Sequence, residues 1–283
     1  MSETTPRALL AESARALSSD EARRDGELLL MHALGVDRAW LYAHGDDSIE
    51  ATKVARFRQL SRRRASGEPL AYLIGRREFW SLDLQVTPDV LIPRPETELL
   101  VELALQRIPL RAAMEVADLG TGSGAIALAL ARERPLATLL ATDASAAALA
   151  VARHNAQRLN IGNITFAHGD WCAALREDKF DLIVSNPPYI AASDPHLNQG
   201  DLRYEPQSAL ASGAQGLDAI RAIIAAARAN LRPDASLLLE HGYDQGVVVR
   251  GLFEQSGFTE IFTACDLEGR ERVSGAVSVS PLP

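Results

Sequence analysis

The stretch Ser185-Asn186-Pro187-Pro188-Tyr189 carries the residue types best suited to chemistry. It follows the apolar run Leu182-Ile183-Val184 and so reads as the exit of a buried strand. Pro187 confines Asn186 to extended backbone. The two prolines fix φ and offer carbonyls without N–H groups. The result is a stiff corner that sets an Asn side-chain oxygen beside a backbone carbonyl, with an aromatic ring above. Two neighbouring acceptors and a flat apolar surface suit a planar group carrying an –NH2, either a carboxamide or an exocyclic base amine. Taken alone, the same residues also describe a proline-rich turn after a core strand. No His or carboxylate adjoins the motif.

A second set of residues lies upstream. Asp118-Leu119-Gly120-Thr121-Gly122-Ser123-Gly124 joins a strand pattern to a helical one. Its glycines permit a tight turn and close backbone approach of a ligand to a helix N-terminus. Gly120-x-Gly122-x-x-Ala125 also satisfies the relaxed dinucleotide fingerprint, so the loop alone does not choose between nicotinamide and S-adenosylmethionine. Asp143 closes the next strand pattern, where a carboxylate can accept from both ribose hydroxyls of either ligand. Two features separate the ligands. Asp118 places a carboxylate at the loop entrance, where an amino-acid ammonium could be held. Asp170 can accept from an adenine 6-amino group with Trp171 packed nearby, although a turn residue beside a core aromatic is an equally good description. The order carries the weight: glycine loop, Asp143, Asp170-Trp171 and Asn186-Pro187-Pro188-Tyr189 follow four successive strands. All four fall at carboxyl ends, where open α/β sheets bind ligands.

The elements that must position these residues alternate. Strand patterns at 114–119, 137–142, 163–167, 181–185, 235–240, 259–264 and 272–280 interleave with helical ones at 124–134, 145–160, 217–231 and 244–256. This predicts an α/β fold, a seven-stranded doubly wound sheet with parallel strands at its centre and an antiparallel edge from the last two strands. Residues 6–66 read as helices, with a break and fresh cap at Ser19-Asp20. Ala71 to Ile74 and Glu78 to Trp80 flank Gly75 and give hairpin signals. The expected division is a helical domain over 1–69, a β-hairpin linker over 70–93 with the boundary near residue 90, and a catalytic domain over 94–283.

Composition narrows the function classes. The 283 residues are 47% hydrophobic and 23% charged, which describes a soluble globular protein. Two cysteines far apart, and six histidines with no HxH or HxxxH spacing, indicate neither a disulfide framework nor a metal. The start of the chain is too polar for a signal peptide and no run suits a membrane span, so a cytoplasmic protein is expected. Residues 1–95 hold 14 basic and 14 acidic side chains; the whole net charge of −8 falls on 96–283, with 15 against 23. Duplex nucleic acid calls for a basic footprint, and the segment with the proline corner has the opposite sign. Between Lys53 and Arg77 lie eight Arg/Lys and one acid, Glu68. Such a run reads as a solvated helix face or as a docking face for an acidic protein or RNA.

With its motifs in this order, the core resembles the class I S-adenosylmethionine-dependent methyltransferases, with NPPY as the amino-methylating motif. Over its length, from Arg23-Arg24-Asp25 to Glu271-Arg272-Val273, the chain most resembles the HemK/PrmC family, the peptide chain release factor glutamine methyltransferases. That closer match rests on Arg77-Glu78-Phe79-Trp80, Leu91-Ile92-Pro93-Arg94-Pro95-Glu96-Thr97-Glu98, Ser185 to Tyr189, Glu205-Pro206 and Leu239-Glu240-His241-Gly242. The resemblance implies S-adenosyl-L-methionine as cofactor, on Gly120, Thr121, Gly122, Ser123, Gly124, Asp143, Asp170, Trp171 and Asn186. It implies a substrate site on Asn186, Pro187, Pro188 and Tyr189, with Asn186, Pro187 and Tyr189 in the catalytic role. The loop from Gln199 to Pro206 would close over the substrate, and Arg94 would face the same pocket. The implied partner is a class 1 release factor, met by a monomer through its helical domain, with neither membrane nor nucleic acid as substrate.

In that reading the Asn186 oxygen and the Pro187 carbonyl accept the two N–H bonds of a glutamine amide, orient its nitrogen and stabilise the charge that grows there. No strong base is required before attack, because the nitrogen becomes acidic once methylated. Three rivals keep parts of the pattern: a glutamine methyltransferase for ribosomal protein uL3, an adenine-N6 or guanine-N2 nucleic-acid methyltransferase, and a non-catalytic S-adenosylmethionine-binding protein. A nicotinamide-dependent dehydrogenase has no use for NPPY.

Overall fold

The computed structural model describes residues 4–17 and 21–279. The break expected at Ser19-Asp20 lies outside them, as does the last residue of the strand expected to reach 280. The chain divides into two units, residues 1–76 and 77–283.

The first unit holds α1 (Pro6–Ala16), α2 (Ala22–Leu34), α3 (Arg38–Ala43), α4 (Ala51–Ala65) and α5 (Leu70–Ile74). Thr5 caps α1 by accepting from Ala8 N, with Pro6 in the first turn. Asp37 caps α3 by accepting from Trp40 N at 2.7 Å. Val54, Phe57, Leu60 and Ser61 recur at helical spacing and turn one face of α4 onto a core with Leu9, Leu29, Leu30 and Leu73. Its arginines occupy the other faces, and most find partners. Arg58 pairs with Glu12 at 2.9 Å, Arg64 with the buried Asp25 at 2.8 Å, and Arg63 with Glu68. The apolar run expected as the first arm of a hairpin is α5 instead, a single helical turn and a little more.

The hairpin is β1 (Arg76–Phe79) and β2 (Leu82–Gln85), turning at Trp80-Ser81 and not at Gly75. Both turn residues have positive φ, 52° and 55°. Carboxylates hold this turn: Glu78 accepts from Ser81 N at 2.6 Å, and Glu98 from Trp80 N at 3.0 Å. Phe79, Leu82 and Leu84 are buried in the same core as Leu100 and Val116. The expected linker over 70–93 is therefore divided: its helical start falls in the first unit, and the rest of the hairpin packs into the second.

The second unit continues with α6 (Glu98–Arg107), β3 (Glu115–Leu119), α7 (Ala125–Glu133), β4 (Thr138–Asp143), α8 (Ala146–Arg158), β5 (Ile164–His168), β6 (Phe180–Ser185), α9 (Asp218–Ala227), β7 (Leu231–Glu240), α10 (Gly246–Gln255), β8 (Phe258–Cys265) and β9 (Glu271–Ser278). The sheet order is β5-β4-β3-β6-β7-β9-β8. β3, β4, β5, β6 and β7 are mutually parallel, and β9 runs antiparallel to both β7 and β8. The last two strands thus form the expected antiparallel edge, with β9 inside β8. The last strand folds back between its two predecessors, and Gly275 permits this: a Cβ there would lie 2.4 Å from Leu238 and 2.5 Å from Phe262. Strand order reverses at β3 and β6, whose carboxyl ends open a crevice at the centre of the sheet.

Candidate active site

Both halves of the crevice are tied at their base. Ser185, at the end of β6, is paired with Leu119 on β3 and Leu239 on β7, and its Oγ donates to Leu119 O at 2.7 Å. Asn186 emerges half-buried, and its Nδ2 donates to Thr97 Oγ1 at 3.1 Å. The Tyr189 hydroxyl donates to Glu240 Oε1 at 3.3 Å, and Gln245 Nε2 donates to the Tyr189 carbonyl at 3.0 Å. Gly216 lies so close that a Cβ would meet this carbonyl at 2.2 Å.

The glycine loop leaves β3 and starts α7. Thr121 N donates to Thr142 O at 2.8 Å, and its hydroxyl donates to Asp118 Oδ2 at 2.7 Å. Asp143 Oδ2 accepts from Gly122 N at 2.9 Å, while Oδ1 accepts from Ser145 N at 2.8 Å. Gly122 has φ 55°, and a Cβ there would project into open space. At Gly120 it would press Trp171 at 3.2 Å. Asn155, on α8 and fully buried, donates to Ser123 O at 2.9 Å and exchanges both amide bonds with the backbone of Gln85 on β2.

Two hollows result. The larger, about 420 Å³, is lined by Gly120, Gly122, Asp143, Asp170, Trp171, Asn186 and Pro188, together with Pro88 to Leu91 and Pro206, Ser208 and Ala209. The smaller, about 70 Å³, is lined by Leu91, Arg94, Asn186 to Ile190, Leu202, Ala209 and Leu210. Leu91, Asn186, Pro188 and Ala209 belong to both. Arg94 is ion-paired with the fully buried Glu205 side chain, whose Oε2 also accepts from Ile92 N at 3.0 Å. The segment around 92–94 and the loop at 205 are thereby fastened together.

Two buried carboxyls stand out electrostatically. Burial pushes Asp118 up to about 7, against the Thr121 hydroxyl and the Ala127 N–H, which favour its charge; its Oδ1 has no hydrogen-bond partner among the described residues. Glu240 is also pushed up to about 7 by burial, with the Thr97 and Tyr189 hydroxyls and Arg272 working the other way; its Oε2 has no hydrogen-bond partner among the described residues. Burial, with Glu240 beside it, holds the Tyr189 phenol well above its ordinary value.

The sequence motifs therefore converge, with two exceptions. Thr121, Ser123 and Gly124 are buried and do not line the larger hollow; they shape the loop beneath it. Asp118 is fully buried and does not reach the hollow either, so it holds Thr121 and not the loop entrance. Sequence reasoning missed the wall at 88–91, which lies in the expected linker. It also missed Glu240: no carboxylate adjoins Tyr189 in sequence, yet β7 delivers one to its hydroxyl. The chemistry of the larger hollow fits S-adenosylmethionine. Its volume is of cofactor size, glycine backbone lines one side, Asp143 and Asp170 offer acceptors, and Trp171 offers an aromatic edge.

Residues 8–75 match the family model of the PrmC N-terminal domain, and residues 96–201 match that of the methyltransferase small domain. The chain is 55% identical over 270 residues to the release factor glutamine methyltransferase of Xylella fastidiosa strain Temecula1, covering 95% of this chain and 97% of that protein. It is 52% identical over 254 residues to the protein of the same name from Bordetella pertussis, covering 89% and 94%. Among solved structures, the T. thermophilus 16S rRNA N2 G1207 methyltransferase, in complex with AdoMet and guanosine, superposes with a TM-score of 0.54 at 22% identity. That match covers 72% of this chain and 49% of the other, and it is a likeness of fold.

Proposed function

The chain belongs to the release factor glutamine methyltransferase family, and on that premise we propose how its site works. It transfers a methyl group from S-adenosyl-L-methionine to the side-chain amide nitrogen (N5) of the glutamine in the Gly-Gly-Gln motif of class 1 peptide chain release factors. The observation that carries the proposal is the pair of hollows whose common wall is Asn186 and Pro188 with Leu91 and Ala209. A donor in the larger and a planar amide in the smaller would meet at that wall.

Bound S-adenosylmethionine supplies a methyl group on a sulfonium, already activated for transfer. The backbone at Gly120 and Gly122, the Asp143 and Asp170 carboxylates and Trp171 would hold it. The acceptor is the harder part, because an amide lone pair is delocalised into its carbonyl. Asn186 Oδ1 and the Pro187 carbonyl take the two N–H bonds of the glutamine, turn its nitrogen toward the larger hollow and stabilise positive charge as conjugation weakens. Tyr189 packs over the amide plane and excludes water, with its own carbonyl braced by Gln245. Arg94 and Leu202 close the sides of the smaller hollow.

The protein acts as a monomer in the cytoplasm; among the described residues no helix is long and apolar enough to cross a membrane. The helical unit docks the protein substrate. Because Arg58, Arg63 and Arg64 are engaged in ion pairs, the exposed Arg62 is the sharpest probe of its basic face. Arg62→Glu should raise the KM for release factor a few-fold with kcat unchanged, and an unaltered KM would remove this face from docking. Nucleic acid is not a substrate, in keeping with the acidic second segment. Mass spectrometry after parallel incubation with S-adenosylmethionine and release factor, ribosomal protein uL3 or DNA tests the assignment. Methyl on the release-factor glutamine alone is expected; methyl on DNA or uL3 instead would overturn it.

A further inference from the structure

We propose that Glu205 is a specificity-determining residue: it cancels the charge of Arg94, so that the smaller hollow takes a neutral carboxamide and not a carboxylate. The inference rests on the proposed seating of a glutamine amide in that hollow and states what keeps glutamate out of it.

Among the residues lining the smaller hollow, Arg94 is the one charged side chain. Its backbone is extended, with φ −100° and ψ 142°, as the residue before a proline favours, and Pro93 precedes it. The prolines on either side fix where the side chain starts and leave its charge unanswered. A guanidinium presents a planar fork of donors that matches a carboxylate. An unanswered one at this wall would recruit the side chain of glutamate, which has nearly the shape of glutamine.

Glu205 answers it. Its backbone N–H donates to Leu202 O at 3.1 Å and Pro206 follows, so the residue closes a short turn with extended backbone, φ −87° and ψ 153°. Its side chain is wholly buried, while that of Arg94 is 30% exposed. Oε1 accepts from Arg94 Nη2, and Oε2 accepts from Ile92 N at 3.0 Å. Both oxygens are taken, and Glu205 itself lines neither hollow. Fastening the two segments does not by itself call for a charge. A neutral amide oxygen would serve Ile92 N as well, and exchanging a buried ion pair for neutral groups is often harmless to stability. The carboxylate is explained by the cation it faces. With that pair made, the hollow presents the Asn186 oxygen and the Pro187 carbonyl, both acceptors. These suit an –NH2 and oppose a second carboxylate.

The test compares two forms of a class 1 release factor, one unaltered and one with glutamate in place of the Gly-Gly-Gln glutamine. Calorimetry with the full-length chain and S-adenosylhomocysteine gives a Kd for each without turnover. Both forms dock through the same surfaces, so the ratio of the two Kd values reads the acceptor hollow. The unsubstituted chain should favour the glutamine form. Glu205→Gln keeps the shape and an acceptor for Ile92 N but frees Arg94. It should shift the ratio roughly tenfold toward the glutamate form, the scale of one hydrogen bond to a charged group. A general loosening of the loop would weaken both forms together and leave the ratio where it was. Glu205→Gln combined with Arg94→Met removes both charges and should restore the ratio of the unsubstituted chain. An unshifted ratio in Glu205→Gln, or a shift that persists in the double variant, overturns the inference. If Glu205→Gln does not fold, the double variant decides alone. A silent Arg94 can be removed with its partner at no change in the ratio, so a ratio moved in either direction overturns the inference. Asn186→Ala separates the two levels. If it methylates the release factor slowly while Glu205→Gln leaves the ratio unshifted, only the role of Glu205 falls; if it is fully active, the seating of the amide falls first.

Discussion

Two loops meet at the middle of the sheet, and they are built from opposite kinds of residue. At the end of β3 the chain turns on glycines with left-handed backbone; at the end of β6 it turns on two prolines. The glycine loop has no shape of its own and takes one from many short hydrogen bonds. Asp143 holds Gly122, Asp118 holds Thr121, and Thr142 receives the Thr121 N–H. The proline corner is stiff without help. What it lacks is control over which way its side chains face, and distant residues supply that: Thr97 is 89 positions from Asn186, and Glu240 is 51 from Tyr189. A soft backbone needs many anchors to exist as a site, whereas a stiff one needs only a few to be aimed.

The largest expected effect lies on the stiff side. Asn186→Ala should cost about 3 kcal/mol of transition-state stabilisation, or ~10²-fold in kcat, by analogy with losing one preorganised polar contact. Calorimetric S-adenosylmethionine affinity should change far less. A large loss of cofactor binding would mean that the corner belongs to the donor half as much as to the acceptor half. On the soft side, Asp143→Ala removes a cofactor acceptor together with the anchor of Gly122 and Ser145, so cofactor Kd should rise roughly tenfold or more with release-factor KM unchanged. An unaltered Kd would take Asp143 out of the cofactor site.

The third effect is one of stability. Asp118 has a folded pKa of about 7 against 3.8 for the free side chain. The stability it contributes is therefore complete below about pH 4 and is lost as pH rises through 7. Asp118→Asn keeps an acceptor for Thr121 and removes the buried charge. Its gain in Tm over the unsubstituted chain should be larger at pH 8 than at pH 5. An equal gain at both would mean that Asp118 is already ionised in the folded state at pH 5 and that its pKa is not raised.

What was legible in the sequence follows the same division. The sheet, its interleaved helices and the four strand ends were readable because each rests on a periodic apolar pattern with a local stop signal. The proline corner was readable because the conformations of Pro187 and Pro188 are nearly fixed by residue type. The errors came where length or distance defeats pattern. Leu70 to Ile74 is too short for its period to separate helix from strand. The turn at Trp80-Ser81 uses none of the Asn-Gly or Asp-Gly signals of left-handed hairpin turns; Glu78 and Glu98 hold it in place of intrinsic preference. The insertion of β9 between β7 and β8 depends on Gly275 meeting Leu238 and Phe262, which no local window contains. Glu240 looked like the end of a strand, and only the pairing of β6 with β7 brings it behind Tyr189. Thr121 and Ser123 were read as ligand contacts from their place in the motif; both side chains are buried and neither lines the larger hollow.

Asn155 joins three pieces of chain through one side chain: the glycine loop at Ser123, the hairpin at Gln85, and α8 itself. The Gln85 amide hydrogen, bonded to Asn155 Oδ1 at 2.8 Å, is accordingly a reporter on a residue that does not line the larger hollow. For that hydrogen to exchange with solvent, the Asn155 side chain must let go, and the same release frees Ser123. Its exchange rate thus registers how often the cofactor loop comes loose, and a ligand that steadies the loop slows exchange on a strand it never touches.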